Sequence, residues 1–125
     1  LKKINQISLI RHKNFNHYKK NLKNFWSQGS ELNLISSFGY ATFVKNRYQV
    51  YQYLKSKNIQ IRPLICGNMG QQPFLKKIKL NQKELVNAKL VDKYGIYLPN
   101  HANLSLKDIN YVTDSFKSIA EPFNF

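Results

Sequence analysis

The chain has 125 residues and a formal net charge of +14, with 42% hydrophobic and 14% aromatic residues. This apolar content excludes a disordered basic tail, and without an apolar run of about 18 residues the sequence holds no membrane-spanning helix. The single cysteine, Cys66, excludes an internal disulfide or a multi-cysteine zinc site and is typical of a cytoplasmic protein. The length suits one domain with a modest core.

The positive charge favours nucleic-acid binding at first sight, but its make-up argues against this class. Only Arg11, Arg47 and Arg62 among the 20 basic residues are arginine, the usual reader of bases and phosphates. Lysine, asparagine and isoleucine have A/T-rich codons and fill 43 positions, so codon bias contributes to the lysine content. A basic, aromatic-containing nucleic-acid-binding module therefore remains an alternative.

Residues 1–24 show the pattern of one long amphipathic helix. Its apolar face has spacings of three and four: Ile4, Ile7, Arg11, Phe15, Tyr18 and Leu22. Such a stripe is typical of a core helix, and its place at the start of the chain also suggests a larger body upstream.

Periodicity and turn residues predict the remaining elements in this order: a strand over 38–44, a helix over 47–57, a strand over 59–64, a helix over 84–93, a strand over 94–98 and a helix from Leu106. Asn46 is a predicted N-cap, Asn58 a predicted helix stop, and Ser105 with Asp108 a predicted capping box. Pro63 places its strand at a sheet edge. The sequence thus predicts an α/β (α+β) architecture, in which a small sheet is covered by helices.

Most catalytic constellations are excluded by spacing. His12 and His17 lie five residues apart, off the spacing at which two imidazoles share a metal, and we interpret both as solvated helix residues. The acidic residues offer no paired carboxylates, and the glycines form no nucleotide-binding fingerprint. Cys66 is interpreted as a small residue beside a turn. We predict no catalytic, cofactor-binding or metal-ligating residue in this chain.

Two loops at the ends of predicted strands remain as candidate binding segments. Arg62 can bind a phosphate or carboxylate with two parallel hydrogen bonds. Asn68, Asn100 and His101 can hydrogen-bond to hydroxyl groups, and Gly67 leaves room for a ligand beside the backbone. Ordinary turn chemistry for the asparagines and a surface ion pair for the arginine are the alternatives.

Taken in order, these segments resemble the C-terminal small domain of the DegT/DnrJ/EryC1/StrS family of pyridoxal-phosphate-dependent sugar aminotransferases. The first helix resembles the family's long interdomain helix, with an arginine and then Tyr18 and Leu22. The most specific match is Arg62-Pro63-Leu64-Ile65-Cys66-Gly67-Asn68, which resembles a loop of the branch that includes nucleotide-sugar 3-dehydratases. Further matching segments are Phe38-Gly39-Tyr40, Arg47 with Leu54, Gln72-Pro73-Phe74, Asn87-Ala88-Lys89, 95–101, and Leu104-Ser105 with Asp108-Ile109.

The resemblance implies a fold-type I transferase whose larger N-terminal domain binds pyridoxal 5'-phosphate through a Schiff-base lysine. On this basis residues 1–125 are the C-terminal small domain, with 1–24 as the interdomain helix, and the cofactor domain is absent from the chain. The chain alone is then expected to be inactive. The implied binding residues are Arg62, Gly67, Asn68, Asn100 and His101.

The implied function of the parent protein is amino transfer to a nucleotide-linked keto-deoxysugar, in the biosynthesis of a surface polysaccharide such as lipopolysaccharide or of a deoxysugar. The implied partners are an amino donor such as glutamate and a second subunit in a homodimer. A 3-dehydratase, which has a histidine in place of the cofactor lysine, is the first alternative. The nucleic-acid-binding module is the second, and a structural remnant without a ligand is the third.

Overall fold

The structure is a computed structural model that describes residues 2–29, 34–64, 68–75 and 85–123. Within these residues four α-helices and three strands follow one another: α1 Ile4–Asn21, β1 Gly39–Phe43, α2 Arg47–Ser56, β2 Arg62–Pro63, α3 Val86–Tyr94, β3 Gly95–Pro99 and α4 Leu106–Lys117. The predicted mixed α/β architecture is confirmed. No helix in this described part is both long and apolar enough to cross a membrane.

The three strands form one antiparallel sheet in the order β1-β3-β2. Gly39 at the start of β1 lies opposite Pro99 at the end of β3, and Arg62 in β2 lies opposite Tyr97. Pro63 is therefore in an edge strand, as predicted. Because both outer strands are antiparallel to β3, their starting residues and the last residues of β3 meet at the same end of the sheet.

Alternate residues along the strands point to opposite faces and build two apolar clusters. The larger cluster covers one face and contains Phe15, Tyr18, Leu22, Tyr40, Val44, Val50, Leu54, Ile59, Ile61, Ile96, Leu98, Ile109, Val112 and Phe116. The smaller cluster on the other face contains Ala41, Phe43 and Leu64, with Trp26, Val91, Tyr94, Tyr97 and Phe123 packed against it. Helices α1, α2 and α4 contribute to the larger cluster, so three helices cover one face of the sheet.

Two predicted elements are shorter than expected. The second strand, predicted over 59–64, pairs only at Arg62–Pro63, although Ile59 and Ile61 are buried. These isoleucines are held by packing rather than by strand pairing, which a pattern of alternating apolar residues does not distinguish. The first helix ends at Asn21, and Ile4 in its predicted apolar face is 57% exposed.

The predicted helix boundaries have mixed outcomes. Asn58 adopts a φ of 58°, the left-handed conformation that stops α2. Ser105 and Asp108 form the predicted reciprocal capping box of α4. Asn46 precedes α2, but its side chain makes no capping hydrogen bond; it binds the chain after α4 instead. In α2, Val50 and Leu54 are buried, whereas Tyr51 is 38% exposed.

Some expectations concern residues outside those described. Gly67, one of the predicted binding residues, is among them, as are Cys66 and the predicted helix start at residue 84.

Candidate functional site

A pocket of about 230 Å³ lies where the three strand ends meet. Its lining residues come from the starts of β1 and β2, the end of β3 and the segments next to them: Phe38, Gly39, Gln60, Arg62, Tyr97, Leu98, Pro99, Asn100 and His101. Three of the five predicted binding residues, Arg62, Asn100 and His101, are therefore brought together. We call this cleft the strand-end pocket.

An aromatic pair forms one wall of the strand-end pocket. The rings of Phe38 and Tyr97 are 5.0 Å apart between centroids and inclined at 49°, an arrangement typical of attractive aromatic contacts. A Cβ on Gly39 would lie 3.0 Å from the Tyr97 ring, so the glycine lets the ring lie against β1. Phe38 is 64% exposed, which leaves ring surface available to a ligand.

Arg62 and His101 are exposed at the strand-end pocket. The guanidinium of Arg62 is permanently charged and offers several N–H donors in one plane, so it suits an anionic group with two oxygens. His101 adds a ring that both donates and accepts. The pocket therefore combines a guanidinium, an aromatic wall and an imidazole ring.

Asn100 forms the back of the pocket and is fully buried. Its Nδ2 donates to the backbone carbonyls of Ser37 at 2.9 Å and Arg11 at 3.3 Å. Its Oδ1 is buried and has no hydrogen-bond partner among the described residues. This geometry favours a role in holding the pocket wall over direct contact with a ligand.

Asn68 lies apart from this group, since it is not among the residues that line the strand-end pocket. It is 3% exposed, and its Oδ1 accepts a hydrogen bond from the backbone N–H of Gly70 at 3.0 Å. That bond starts the short 3₁₀ turn Met69–Gln71. The turn chemistry weighed against a binding role is thus present at Asn68.

Sequence reasoning missed Phe38, Gln60 and Tyr97 as pocket residues. Phe38 and Tyr97 carry a detectable signal, because each lies within one residue of a predicted strand end and aromatic residues are frequent in cross-strand pairs. Gln60 carries no such signal in the sequence. It lines the pocket from the unpaired segment before β2.

The described residues do not fit pyridoxal phosphate by themselves. Every lysine among them is exposed, whereas a Schiff-base lysine lies in a pocket. No carboxylate is among the residues that line the strand-end pocket, so the pocket offers no acid to pair with a pyridine nitrogen. The described histidine, aspartate and glutamate side chains also form no group of three that would hold a metal ion.

Comparisons with known proteins agree with the fold. A model of the DegT/DnrJ/EryC1/StrS aminotransferase family matches residues 1–117. GDP-4-keto-6-deoxy-D-mannose 3-dehydratase from Escherichia coli O55:H7 is 27% identical over 126 residues, which cover 94% of this chain and 32% of that protein.

Two solved structures also match this chain. The Escherichia coli GDP-4-keto-6-deoxy-D-mannose-3-dehydratase with bound hydrated PLP matches with a TM-score of 0.72 at 27% identity, over 93% of this chain and 32% of that one. A DegT DnrJ EryC1 StrS aminotransferase from Brucella abortus matches with a TM-score of 0.85 at 16% identity, over 94% and 32% of the two chains.

The chain spans about a third of the length of these relatives. The match of the family model nevertheless extends over nearly all of it, from residue 1 to residue 117. The chain belongs to the DegT/DnrJ/EryC1/StrS aminotransferase family.

Proposed function

We propose that the chain is the C-terminal small domain of a pyridoxal-phosphate-dependent enzyme that transfers an amino group to a nucleotide-linked keto-deoxysugar. The observation that carries this proposal is the strand-end pocket, in which Arg62 lies near an aromatic wall of Phe38 and Tyr97. Membership of the family supports the reaction class. The hydrated PLP held by the 27%-identical relative supports the cofactor.

Four of the residues that line the pocket bind the nucleotide sugar. Arg62 binds two oxygens of the diphosphate, because its N–H groups lie in one plane and match that geometry. Phe38 and Tyr97 pack against the apolar face of the sugar or base. His101 hydrogen-bonds to a hydroxyl at the rim. The chain thereby orients the substrate and excludes water from it.

The remaining chemistry belongs to a domain outside this chain. When bound there, pyridoxal phosphate acts as an electron sink. In the parent protein, α1 is the helix between the two domains, and two subunits form a homodimer. Glutamate is the proposed amino donor, and the cytoplasm, where nucleotide sugars for surface polysaccharides are made, is the proposed location.

A sugar 3-dehydratase is the second candidate function. It is favoured by the 27% identity with the Escherichia coli GDP-4-keto-6-deoxy-D-mannose 3-dehydratase and by the Arg62-Pro63 loop that resembles that branch. The coding sequence upstream of Leu1 distinguishes the two candidates. A lysine at the position that binds the cofactor supports the aminotransferase, and a histidine there supports the dehydratase.

Binding by the strand-end pocket is tested on the 125-residue chain. We expect titration with GDP-mannose to shift the amide resonances of Gly39, Arg62, Tyr97 and His101 in ¹H–¹⁵N spectra. Arg62→Ala removes charge-assisted hydrogen bonds, each worth about 1.5–3 kcal/mol when shielded from water. Because Arg62 is exposed and screened by solvent, we expect affinity to fall by about tenfold, near the lower end of that range.

Lys89→Ala is the matched control, since it removes one positive charge at an exposed position of α3. An equal loss of affinity in both variants would show binding to general positive charge and would contradict the proposal. Resonance shifts spread over the lysine-rich helix surfaces would contradict it too. Strong retention on single-stranded DNA with a steep salt dependence would favour the nucleic-acid-binding module instead.

A further inference from the structure

Helix α1 contacts the strand-end pocket from behind, at the segment that leaves β3. The Tyr18 hydroxyl donates a hydrogen bond to the Pro99 carbonyl at 2.8 Å. The Asn14 Nδ2 donates to the His101 carbonyl at 3.4 Å. Both carbonyls belong to residues that line the pocket, so α1 side chains fix the backbone on either side of Asn100.

The same helix also holds the segment that leads into the aromatic wall. The Asn100 side chain joins the Arg11 carbonyl on α1 to the Ser37 carbonyl, which directly precedes Phe38. The His12 Nδ1 accepts a hydrogen bond from the backbone N–H of Ile35 at 3.0 Å. His12 is half-buried, and so is His17, whose Nε2 lies 2.7 Å from the Asn110 Oδ1. These contacts correct the interpretation of both as solvated residues. Helix α1 is therefore bonded to the segment after β3 and to the segment before β1.

These bonds answer a physical requirement of the fold. Where the chain leaves a strand, its carbonyls lose their ladder partners, and a buried carbonyl without a partner is destabilising. Asn14 is 2% exposed and Tyr18 is fully buried, so their polar groups also need partners. Burial raises the pKa of Tyr18 well above its usual range, with the Asp108 charge adding to the effect. Its hydroxyl thus remains a donor at any ordinary pH.

The placement of these side chains on one helical face is specific. Asn14 and Tyr18 are four residues apart, so their side chains lie along one side of α1. That side faces the core, where apolar residues would otherwise be expected. Their polar groups lie where the segment after β3 passes α1, and they donate hydrogen bonds to its carbonyls.

We infer that Asn14 and Tyr18 are positioning residues of the strand-end pocket. They never touch the ligand, and they set the position of Pro99 and His101 relative to the aromatic wall of the pocket. The inference rests on the proposed function only for the identity of the ligand. The bracing itself is a property of the described residues.

Tyr18→Phe tests the inference because it removes the hydroxyl and keeps the ring in the core. Tyr111→Phe is the matched control, since it removes a comparable bond, from the Tyr111 hydroxyl to the Lys57 carbonyl at 3.2 Å, away from the pocket. The first readout is hydrogen exchange at the Leu104 amide, which donates to the His101 carbonyl. We expect exchange about three- to tenfold faster in Tyr18→Phe than in Tyr111→Phe, from the loss of one hydrogen bond.

The second readout is the affinity for GDP-mannose, which we expect to fall about three- to tenfold in Tyr18→Phe and to stay unchanged in Tyr111→Phe. Equal exchange in the two variants overturns the inference. Faster exchange with unchanged affinity overturns it as well, because the released segment would then not serve the ligand. If the unmodified chain fails to bind GDP-mannose, the proposed function fails, and the exchange comparison alone decides whether Tyr18 braces the pocket.

Asn14→Ser provides a second variant. It shortens the side chain that donates to the His101 carbonyl and leaves α1 intact. It is expected to accelerate Leu104 exchange in the same way, because Asn14 and Leu104 bind the same carbonyl. Unchanged exchange in a folded Asn14→Ser chain contradicts a role for Asn14. Circular dichroism identifies the variants that remain folded.

Discussion

Replacement of Asn46 by aspartate separates two roles that the sequence does not distinguish. Asn46 stands at the N-cap of α2, yet its Nδ2 donates to the Ile119 carbonyl at 2.8 Å and its Oδ1 accepts from the Glu121 N–H at 3.0 Å. The Lys45 N–H also donates to the Glu121 carbonyl at 2.9 Å. The side chain therefore joins the start of α2 to the chain that follows α4.

The two roles predict opposite results for Asn46→Asp. Asparagine and aspartate are about equally good N-caps, and a negative charge near a helix N-terminus adds about 0.3–1 kcal/mol. In the observed geometry the carboxylate keeps the bond from Glu121 but has no donor for the Ile119 carbonyl. One lost hydrogen bond of about 1 kcal/mol and an unpaired carbonyl of about 1–3 kcal/mol outweigh the helix-dipole gain. We expect a net loss of about 1–4 kcal/mol in the free energy of unfolding.

Urea denaturation followed by the fluorescence of Trp26, the single tryptophan, measures this loss. Asn103→Asp at an exposed position is the control for the change in net charge. Near pH 3 the introduced carboxyl group becomes protonated and regains a donor, so the difference from the unmodified chain should become smaller. A variant as stable as the unmodified chain, or more stable, would refute the bridging role and restore the capping role.

Two further substitutions test local packing and pH dependence. A Cβ on Gly95 would lie 2.6 Å from a backbone carbonyl oxygen of α3, so Gly95→Ala should lower the free energy of unfolding by about 1–3 kcal/mol. Gly29→Ala, where a Cβ meets no atom within 4 Å, should change it by less than about 0.5 kcal/mol in the same urea titration. Hydrogen bonds from the Ser105 hydroxyl and N–H lower the pKa of Asp108 below its ordinary value of 3.8. Because the pKa of Asp108 is lower in the native state than in the unfolded chain, its carboxylate stabilises the fold at pH values above the ordinary pKa. This stabilisation is lost as the pH falls through the native pKa. The difference in melting temperature between the unmodified chain and Asp108→Asn should therefore shrink from pH 5 to pH 2, and a constant difference would contradict the capping role.

The sequence predicts the fold well where a local pattern and the tertiary contacts agree. The capping box at Ser105 and the helix stop at Asn58 need only neighbouring residues, and both are confirmed. The strand predicted over 59–64 pairs at two positions only, since pairing depends on β3, which lies some thirty residues further along the chain. Asn46 has the residue type of a cap, but the position of the chain after α4 decides its partners.

The candidate site was likewise predictable where local sequence decides and unpredictable where tertiary contacts decide. Arg62, Asn100 and His101 converge because each stands at a strand end, and strand ends can be located from turn residues. How deeply each of these side chains is buried could not be predicted from the sequence. Asn100 is fully buried behind the wall while Arg62 is exposed, and this difference follows from the path of α1. A pattern along one segment carries no information about which helix passes behind it.

The contacts of α1 also have a consequence for the synthesis of the chain. Tyr18 and its partner Pro99 are 81 positions apart, and Asn14 and His101 are 87 positions apart. At about 5–20 residues per second, roughly 4 to 16 seconds pass on the ribosome between the synthesis of Tyr18 and that of Pro99. During that interval the apolar face of α1 lacks the strand and the helix that later cover it. The side of α1 that braces the pocket in the finished fold therefore stays without its partners for most of the synthesis of the chain.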